Sequence, residues 1–95
     1  RNRYLSRQER GKSSAIYSAL QSAVERLRNG AFTVEEIEQE GVISLTEMGM
    51  KVEYFSIRRQ KDLLPVNSSD RNIVVLTAVW LGSARLIDNL KVTLD

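Results

Sequence analysis

The most apolar segment of the sequence is NIVVLTAVWL, at residues 72–81. It is rich in β-branched side chains, and Thr77 interrupts its apolar run from Ile73 to Leu81. A short apolar run between turn signals is typical of a buried strand, and it is far shorter than the roughly 20 residues of a membrane-spanning helix. We therefore predict that residues 72–81 form the central strand of a sheet, with Trp80 in the core or at a domain interface.

Two further strands are predicted beside this segment. After the tight connection at residues 82–83, residues 84–94 alternate, and their apolar positions on one parity are Leu86, Leu90, Val92 and Leu94. Residues 50–57 also alternate, but the apolar parity changes after Tyr54, which indicates either a bulge or burial on both faces. Between these strands, we expect residues 63–65 to pack on the core and residues 67–70 to form a turn.

Helical periodicity precedes the strands. Apolar residues recur at helical spacing over residues 13–29, with Ser13 or Ser14 as the N-cap and Asn29-Gly30 as the stop. An additional turn over residues 6–10 is compatible with the pattern. We therefore predict a first helix at residues 13–29.

A second helix is predicted to begin after Thr33. Glu36 completes a capping box with Thr33, and Phe32 and Ile37 have the spacing of a hydrophobic staple. One apolar face is formed by Val34, Ile37, Leu45 and Met48.

Two glycines qualify this second helix. Gly41 weakens its middle, and Gly49 ends it. With the strands, the sequence predicts an α+β two-layer sandwich, in which two main helices pack on a small three-stranded, mainly antiparallel sheet. No internal repeat or linker interrupts residues 1–95, so we expect one domain.

The composition excludes several kinds of site. The 95 residues contain no Cys and no His, so disulfides, thiolate chemistry and histidine-based acid–base or metal sites are absent from the chain. We predict no catalytic residue and no metal site. A run of glutamates has no metal-binding spacing, and we interpret it as capping and solubility; it comprises Glu35, Glu36, Glu38 and Glu40.

The net charge of +2 is unevenly distributed. The first 12 residues are basic, with Arg1, Arg3, Arg7, Arg10 and Lys12 against Glu9 alone. Such a start could meet the phosphate of a nucleotide or of a nucleic acid, although scattered solvated arginines are the simpler interpretation. A second basic cluster could face a phosphate or a protein, but a solvated loop is its default; it comprises Arg58, Arg59 and Lys61.

Other polar residues are assigned structural roles. We interpret Arg85 and Asp88 as an ion pair or a strand-end contact rather than as site groups. Tyr4 is expected to pack the start of the chain onto the first helix. The opening Arg1-Asn2-Arg3 has neither a start Met nor an apolar signal segment, which fits a piece of a longer protein.

Several strings resemble the pantoate–β-alanine ligase (pantothenate synthetase) family. RNRYLS at residues 1–6 resembles the end of that family's Ser-Ser-Arg-Asn segment, and AVWLGSARLIDN at residues 78–89 resembles its small-domain signature. IYSAL at residues 16–20 and VEYFSI at residues 52–57 occur between them in the expected order. The resemblance extends from Arg1 to about Leu94 and corresponds to the C-terminal domain alone.

This resemblance implies a function for a longer protein. The family condenses pantoate with β-alanine through a pantoyl adenylate, consuming ATP and releasing pyrophosphate and AMP. Residues 1–95 would be the lid that closes over a larger, Rossmann-like N-terminal domain, and alone they should be inactive. ATP with Mg²⁺ is expected in the full-length enzyme and no cofactor on this domain alone. The expected state is a cytoplasmic homodimer joined through the larger domain, without nucleic acid or membrane partners.

The resemblance carries one site residue to this chain. The family's Ser-Ser-Arg segment acts like the KMSKS loop of nucleotidyl transferases, and Arg1 matches its Arg. The implied role of Arg1 is to hold the ATP phosphates, where a guanidinium can bind the departing pyrophosphate bidentately. On the isolated chain Arg1 is expected to be exposed and mobile.

Two other classes of function remain as alternatives. The first is a small nucleic-acid-binding module that uses the basic N-terminal arm, although the chain lacks an RNP-type aromatic motif and a GXXG loop. The second is a protein-interaction module with an exposed apolar surface.

Overall fold

The structure, a computed structural model, describes residues 7–67 and 69–94. Two helices precede three strands, and their bounds are α1 (Arg7–Asn29), α2 (Val34–Glu47), β1 (Lys51–Arg59), β2 (Asn72–Leu81) and β3 (Ala84–Thr93). Both helices pack on the antiparallel sheet. The α+β arrangement that the sequence predicts is therefore confirmed.

The sheet has the order β1-β2-β3, so the apolar segment at residues 72–81 is its central strand, as predicted. The hairpin between β2 and β3 turns at Gly82, whose φ of 62° lies in the left-handed region that favours glycine. In the described part of the chain, β3 pairs with β2 alone, and its other edge is open.

The core lies between the helices and one face of the sheet, here called the inner face. Both helices contribute buried apolar residues, and the inner-face residues of the strands follow the period of two. The largest fully buried apolar side chains are Leu20, Ile37, Leu45, Ile57, Ile73, Val75 and Val79.

Helix α1 begins at Arg7, six residues before the predicted start at Ser13. The expectation of an N-cap at Ser13 or Ser14 is therefore wrong. Residues 8–10 (Gln-Glu-Arg) are good helix formers, and a glycine at position 11 costs only about 1 kcal/mol relative to alanine, which a 23-residue helix can absorb.

Helix α2 has the predicted capping box. The Thr33 N–H donates to Glu36 Oε1 at 2.9 Å, and the Glu36 N–H donates to Thr33 Oγ1 at 3.1 Å. Gly49, with φ of 90°, follows the helix as predicted. Met48 was expected on the apolar face, but it is exposed because the helix has already ended at Glu47.

Strand β1 contains the predicted break in alternation. Its register on β2 shifts between Val52 and Tyr54, which makes Glu53 the extra residue of a bulge. After the bulge, Phe55 and Ile57 point into the core.

The loop after β1 differs from its prediction. Leu63 and Leu64 were expected to pack on the core with Pro65, but all three are exposed, and Val66 packs there instead. The Leu64 carbonyl accepts a 2.9 Å hydrogen bond from the Arg59 N–H, which holds this segment along the edge of β1 rather than over the core.

Candidate functional site

The face of the sheet opposite the helices, here called the outer face, carries a polar cluster at the bulge. Trp80 of β2 lies opposite Arg85 of β3 in the strand register. Glu53 joins them, because its Oε1 accepts a 2.8 Å hydrogen bond from Trp80 Nε1 and its carboxylate forms an ion pair with Arg85. The extra residue of the bulge therefore brings one carboxylate to both neighbouring strands.

The ionic contact shifts both charged groups in the direction that favours the pair. The hydrogen bond from Arg85, the burial of the carboxylate, which opposes it, and the Arg85 charge act on Glu53, and the net effect is a lowered pKa. The hydrogen bond to Glu53 likewise raises the pKa of Arg85. Both groups are open to solvent, so the pair positions Trp80 more than it stabilises the fold.

An apolar row lies beside this cluster on the outer face. Tyr54, Ala78 and Ile87 are directly opposite one another in the register of the three strands. Ala78 is fully buried beneath its neighbours, whereas Tyr54 and Trp80 are each 37% exposed and Ile87 is 61% exposed. An exposed group of two aromatic rings and an isoleucine is typical of a surface that contacts another molecule or domain.

The outer-face site is defined here as Glu53, Tyr54, Trp80, Arg85 and Ile87. Sequence reasoning singled out Trp80 and Arg85 but missed the rest. The change of apolar parity at Tyr54 was the available signal, because it located the bulge without naming Glu53. Trp80 was expected in the core or at a domain interface, and its exposure excludes the core.

The expected contact between Arg85 and Asp88 is absent. These residues are three positions apart on one strand, so their side chains point to opposite faces of the sheet. Arg85 pairs with Glu53, and Asp88 Oδ1 accepts a 2.8 Å hydrogen bond from the Asn89 N–H. Arg1 and Tyr4 lie outside the described residues, and their expected roles stay predictions.

The basic cluster after β1 is divided among ion pairs. Arg58 Nη1 lies 3.2 Å from Glu38 Oε2, and Arg59 Nη2 lies 2.9 Å from Asp62 Oδ2. The default interpretation as a solvated loop is wrong for these two arginines, whose side chains are 33% and 20% exposed. Lys61 is exposed and lines a shallow cavity with Arg59 and Asp70.

The glutamate run of α2 has more than one role. Glu36 completes the cap, as predicted, but Glu38 reaches the sheet and accepts a 2.8 Å hydrogen bond from the Ile57 N–H. Capping and solubility therefore do not account for Glu38. Within residues 7–67 and 69–94, no group of three metal-ligating side chains converges, and no helix is long and apolar enough to cross a bilayer.

The fold is thus a two-layer α+β sandwich in which one sheet face is covered by helices and the other carries an exposed aromatic and charged site. The sequence profile of the pantoate-beta-alanine ligase family matches residues 1–91. The chain belongs to this family.

Named relatives show how much of a family member the chain represents. It is 43% identical over 95 residues to the pantothenate synthetase of Methylococcus capsulatus and 41% identical over 95 residues to that of Pseudomonas aeruginosa. These matches cover the whole chain but only 33% and 34% of the relatives. The chain therefore spans about a third of the length of the curated relatives that it matches.

A solved structure agrees with the sequence comparison. The crystal structure of pantothenate synthetase from Thermus thermophilus superposes with a TM-score of 0.82 at 31% sequence identity. The alignment covers 94% of this chain and 32% of that one.

Proposed function

We propose that this chain is the C-terminal lid domain of a pantothenate synthetase. The full-length enzyme would join pantoate to β-alanine through a pantoyl adenylate, with release of pyrophosphate and then AMP. The observation that carries the proposal is the family match over residues 1–91 of a chain that spans only about a third of its relatives. The chain lacks His and Cys, which supports the view that the catalytic groups lie in a larger N-terminal domain and that the lid alone is inactive.

The proposed chemical contribution of the lid is a cation at the ATP phosphates. When the pantoate carboxylate attacks the α-phosphorus of ATP, the bond to pyrophosphate breaks and negative charge accumulates on the departing oxygens. The Arg1 guanidinium can donate two parallel hydrogen bonds to those oxygens. Closure of the lid at that moment also excludes water, which would otherwise hydrolyse the acyl adenylate.

The proposal extends to the remaining components of the full-length enzyme. ATP would enter with Mg²⁺, which neutralises part of the triphosphate charge. We also propose a cytoplasmic homodimer that is joined through the larger domain. These features rest on the family resemblance and not on contacts of the described residues.

The test is an assay of the full-length protein that contains this sequence. We expect pantothenate from pantoate, β-alanine and ATP, and pyrophosphate exchange into ATP that depends on pantoate. Arg1→Ala should lower the exchange rate by about 10²–10³-fold, the usual cost of losing a donor to developing negative charge. Arg3→Ala is the matched control, because it removes a nearby positive charge outside the matched motif.

The two parts of the proposal can fail separately. A folded full-length protein that forms no pantothenate would contradict the ligase function. Normal exchange by the Arg1→Ala variant, or equal losses in the Arg1→Ala and Arg3→Ala variants, would contradict the phosphate role of Arg1 and leave the ligase function in place.

A further inference from the structure

We infer that the outer-face site, and not the helix layer, is the surface that meets the larger domain of the enzyme when the lid closes on substrates. This inference rests on the proposed lid function and identifies the contact surface of the lid. It commits to one occupant, the apolar surface of the preceding domain of the same polypeptide. Three features support it: the chemistry of the face, the position of the chain's connection and the length of the rest of the enzyme.

The chemistry of the outer face suits a partner that is apolar and carries no net charge. Tyr54, Trp80 and Ile87 expose apolar surface together. The charges of Glu53 and Arg85 neutralise each other inside the site, and the indole N–H of Trp80 is already satisfied by Glu53. Covering this face therefore leaves these groups partnered and gains the burial of apolar area.

The connection to the preceding domain lies at the same end of the sheet. Leu27 and Arg28, near the end of α1, line one cavity with Thr93 and Leu94, near the end of β3. Helix α1 therefore runs beside β3 in the same direction. Its 23 residues extend for about 35 Å, and the ten residues of β3 extend for about 33 Å. The first turn of α1 consequently lies level with the start of β3, where Arg85 is opposite Trp80.

The rest of the enzyme is large enough to cover the site. The relatives are about three times as long as this chain. A domain tethered to the first turn of α1 has an effective concentration in the millimolar range near the outer-face site. A second copy of the chain has no such advantage, so the preceding domain is the occupant that the geometry favours.

The test uses thiol labelling of the full-length enzyme, because this sequence contains no cysteine of its own. Ile87→Cys places a thiol on the outer face, where the native side chain is 61% exposed. Ile43→Cys is the matched control on α2, where the native isoleucine is 44% exposed. Labelling of the enzyme without either substitution gives the background from cysteines elsewhere. Rates are measured with a maleimide reagent, with and without saturating ATP and pantoate.

We expect substrates to slow labelling at position 87 and to leave position 43 unchanged. If closure holds the lid shut for about 90% of the time, labelling at position 87 should slow by about tenfold. Catalytic turnover of each variant is recorded in parallel as evidence that it is folded.

Each other outcome overturns the inference. Equal labelling of position 87 with and without substrates in an active enzyme shows that this face does not close, while the ligase function stands. Protection at position 43 in place of position 87 assigns closure to the helix layer. Protection that increases with protein concentration and not with substrates assigns the face to a second copy. An enzyme that makes no pantothenate fails at the earlier step, and the inference fails with it.

Discussion

Gly41 of α2 lies so close to Phe55 of β1 that a side chain at Gly41 would collide with the aromatic ring. A Cβ at this position would be 2.5 Å from ring carbons Cδ1 and Cε1 and 2.6 Å from Cζ. Both residues are buried, so the ring has little room to move. The glycine that weakens the helix locally is the residue that lets the helix approach the sheet.

We therefore expect Gly41→Ala to destabilise the chain, although alanine is the better helix former. The propensity gain of about 1 kcal/mol is opposed by overpacking, which costs about 1–3 kcal/mol, and the rigid ring places the cost in the upper part of that range. Urea denaturation gives the free energy of unfolding. Gln39→Ala, at an exposed position of the same helix, is the control and should be nearly neutral. A stabilised Gly41→Ala variant would contradict the packing argument.

The hydrogen bond from the Ile57 N–H to Glu38 should contribute measurably to stability. Glu38→Ala removes the acceptor of an edge-strand N–H and one partner of Arg58, so we expect a loss of about 1–3 kcal/mol in the free energy of unfolding. Glu38→Gln keeps an acceptor oxygen and should lose less. Glu35→Ala, in the exposed first turn of the same helix, serves as the control. Equal effects of the Glu38→Ala and Glu35→Ala substitutions would show that the contact across to β1 is not significant.

The hydroxyl of Thr77 should stabilise the sheet beside the bulge. Thr77 is fully buried, and its Oγ1 donates a 2.8 Å hydrogen bond to the Tyr54 carbonyl. Thr77→Val keeps the shape and removes the donor, so we expect a loss of about 1–2 kcal/mol in the free energy of unfolding. Thr77→Ser keeps the donor and removes a methyl group. If the bond is important, amide hydrogen exchange at residues 53–55 accelerates in the valine variant and not in the serine variant.

The fluorescence of Trp80, the single tryptophan of the chain, should report the ionisation of Glu53. Because Arg85 lowers the pKa of Glu53, the carboxylate remains charged below the ordinary glutamate pKa of about 4.3. The stabilisation from this pair is present above that pH and is lost as the pH falls through the lowered pKa. An acid titration should therefore show a fluorescence change with its midpoint below about 4.3.

Glu53→Gln is the control for this titration. The amide oxygen still accepts a hydrogen bond from Trp80, but the group no longer ionises, so the acid step in fluorescence should disappear. A step that persists unchanged in the variant would assign the signal to another carboxylate. Asp88→Asn, on the opposite face of the same strand as Arg85, should retain the step.

Local sequence signals predict the elements well where neighbouring residues determine the structure. The capping box at Thr33, the end of α2 at Gly49 and the break in alternation after Tyr54 are all observed. Each is a short-range device whose hydrogen bonds or backbone angles involve residues within a few positions of one another. The central position of residues 72–81 also follows directly from their apolar character.

The errors arise where residues distant in the sequence determine the outcome. The role of Gly41 depends on Phe55, and the role of Glu38 depends on the Ile57 N–H, which lies 19 positions away. The partner of Arg85 is 32 positions away, and nothing nearer in the sequence indicates it. Most of the outer-face site was missed for the same reason, because a bulge shows that alternation breaks but not which side chain crosses the strands.

The two edges of the sheet have different consequences for self-association. On β1, the N–H groups of Ile57 and Arg59 are occupied by Glu38 and by the Leu64 carbonyl, and Pro65 lies alongside. The free edge of β3 has no such cover among the described residues. A neighbour that adds a strand there would present its own blocked edge on the far side, so growth by strand addition would stop at a pair and could not proceed to a fibril.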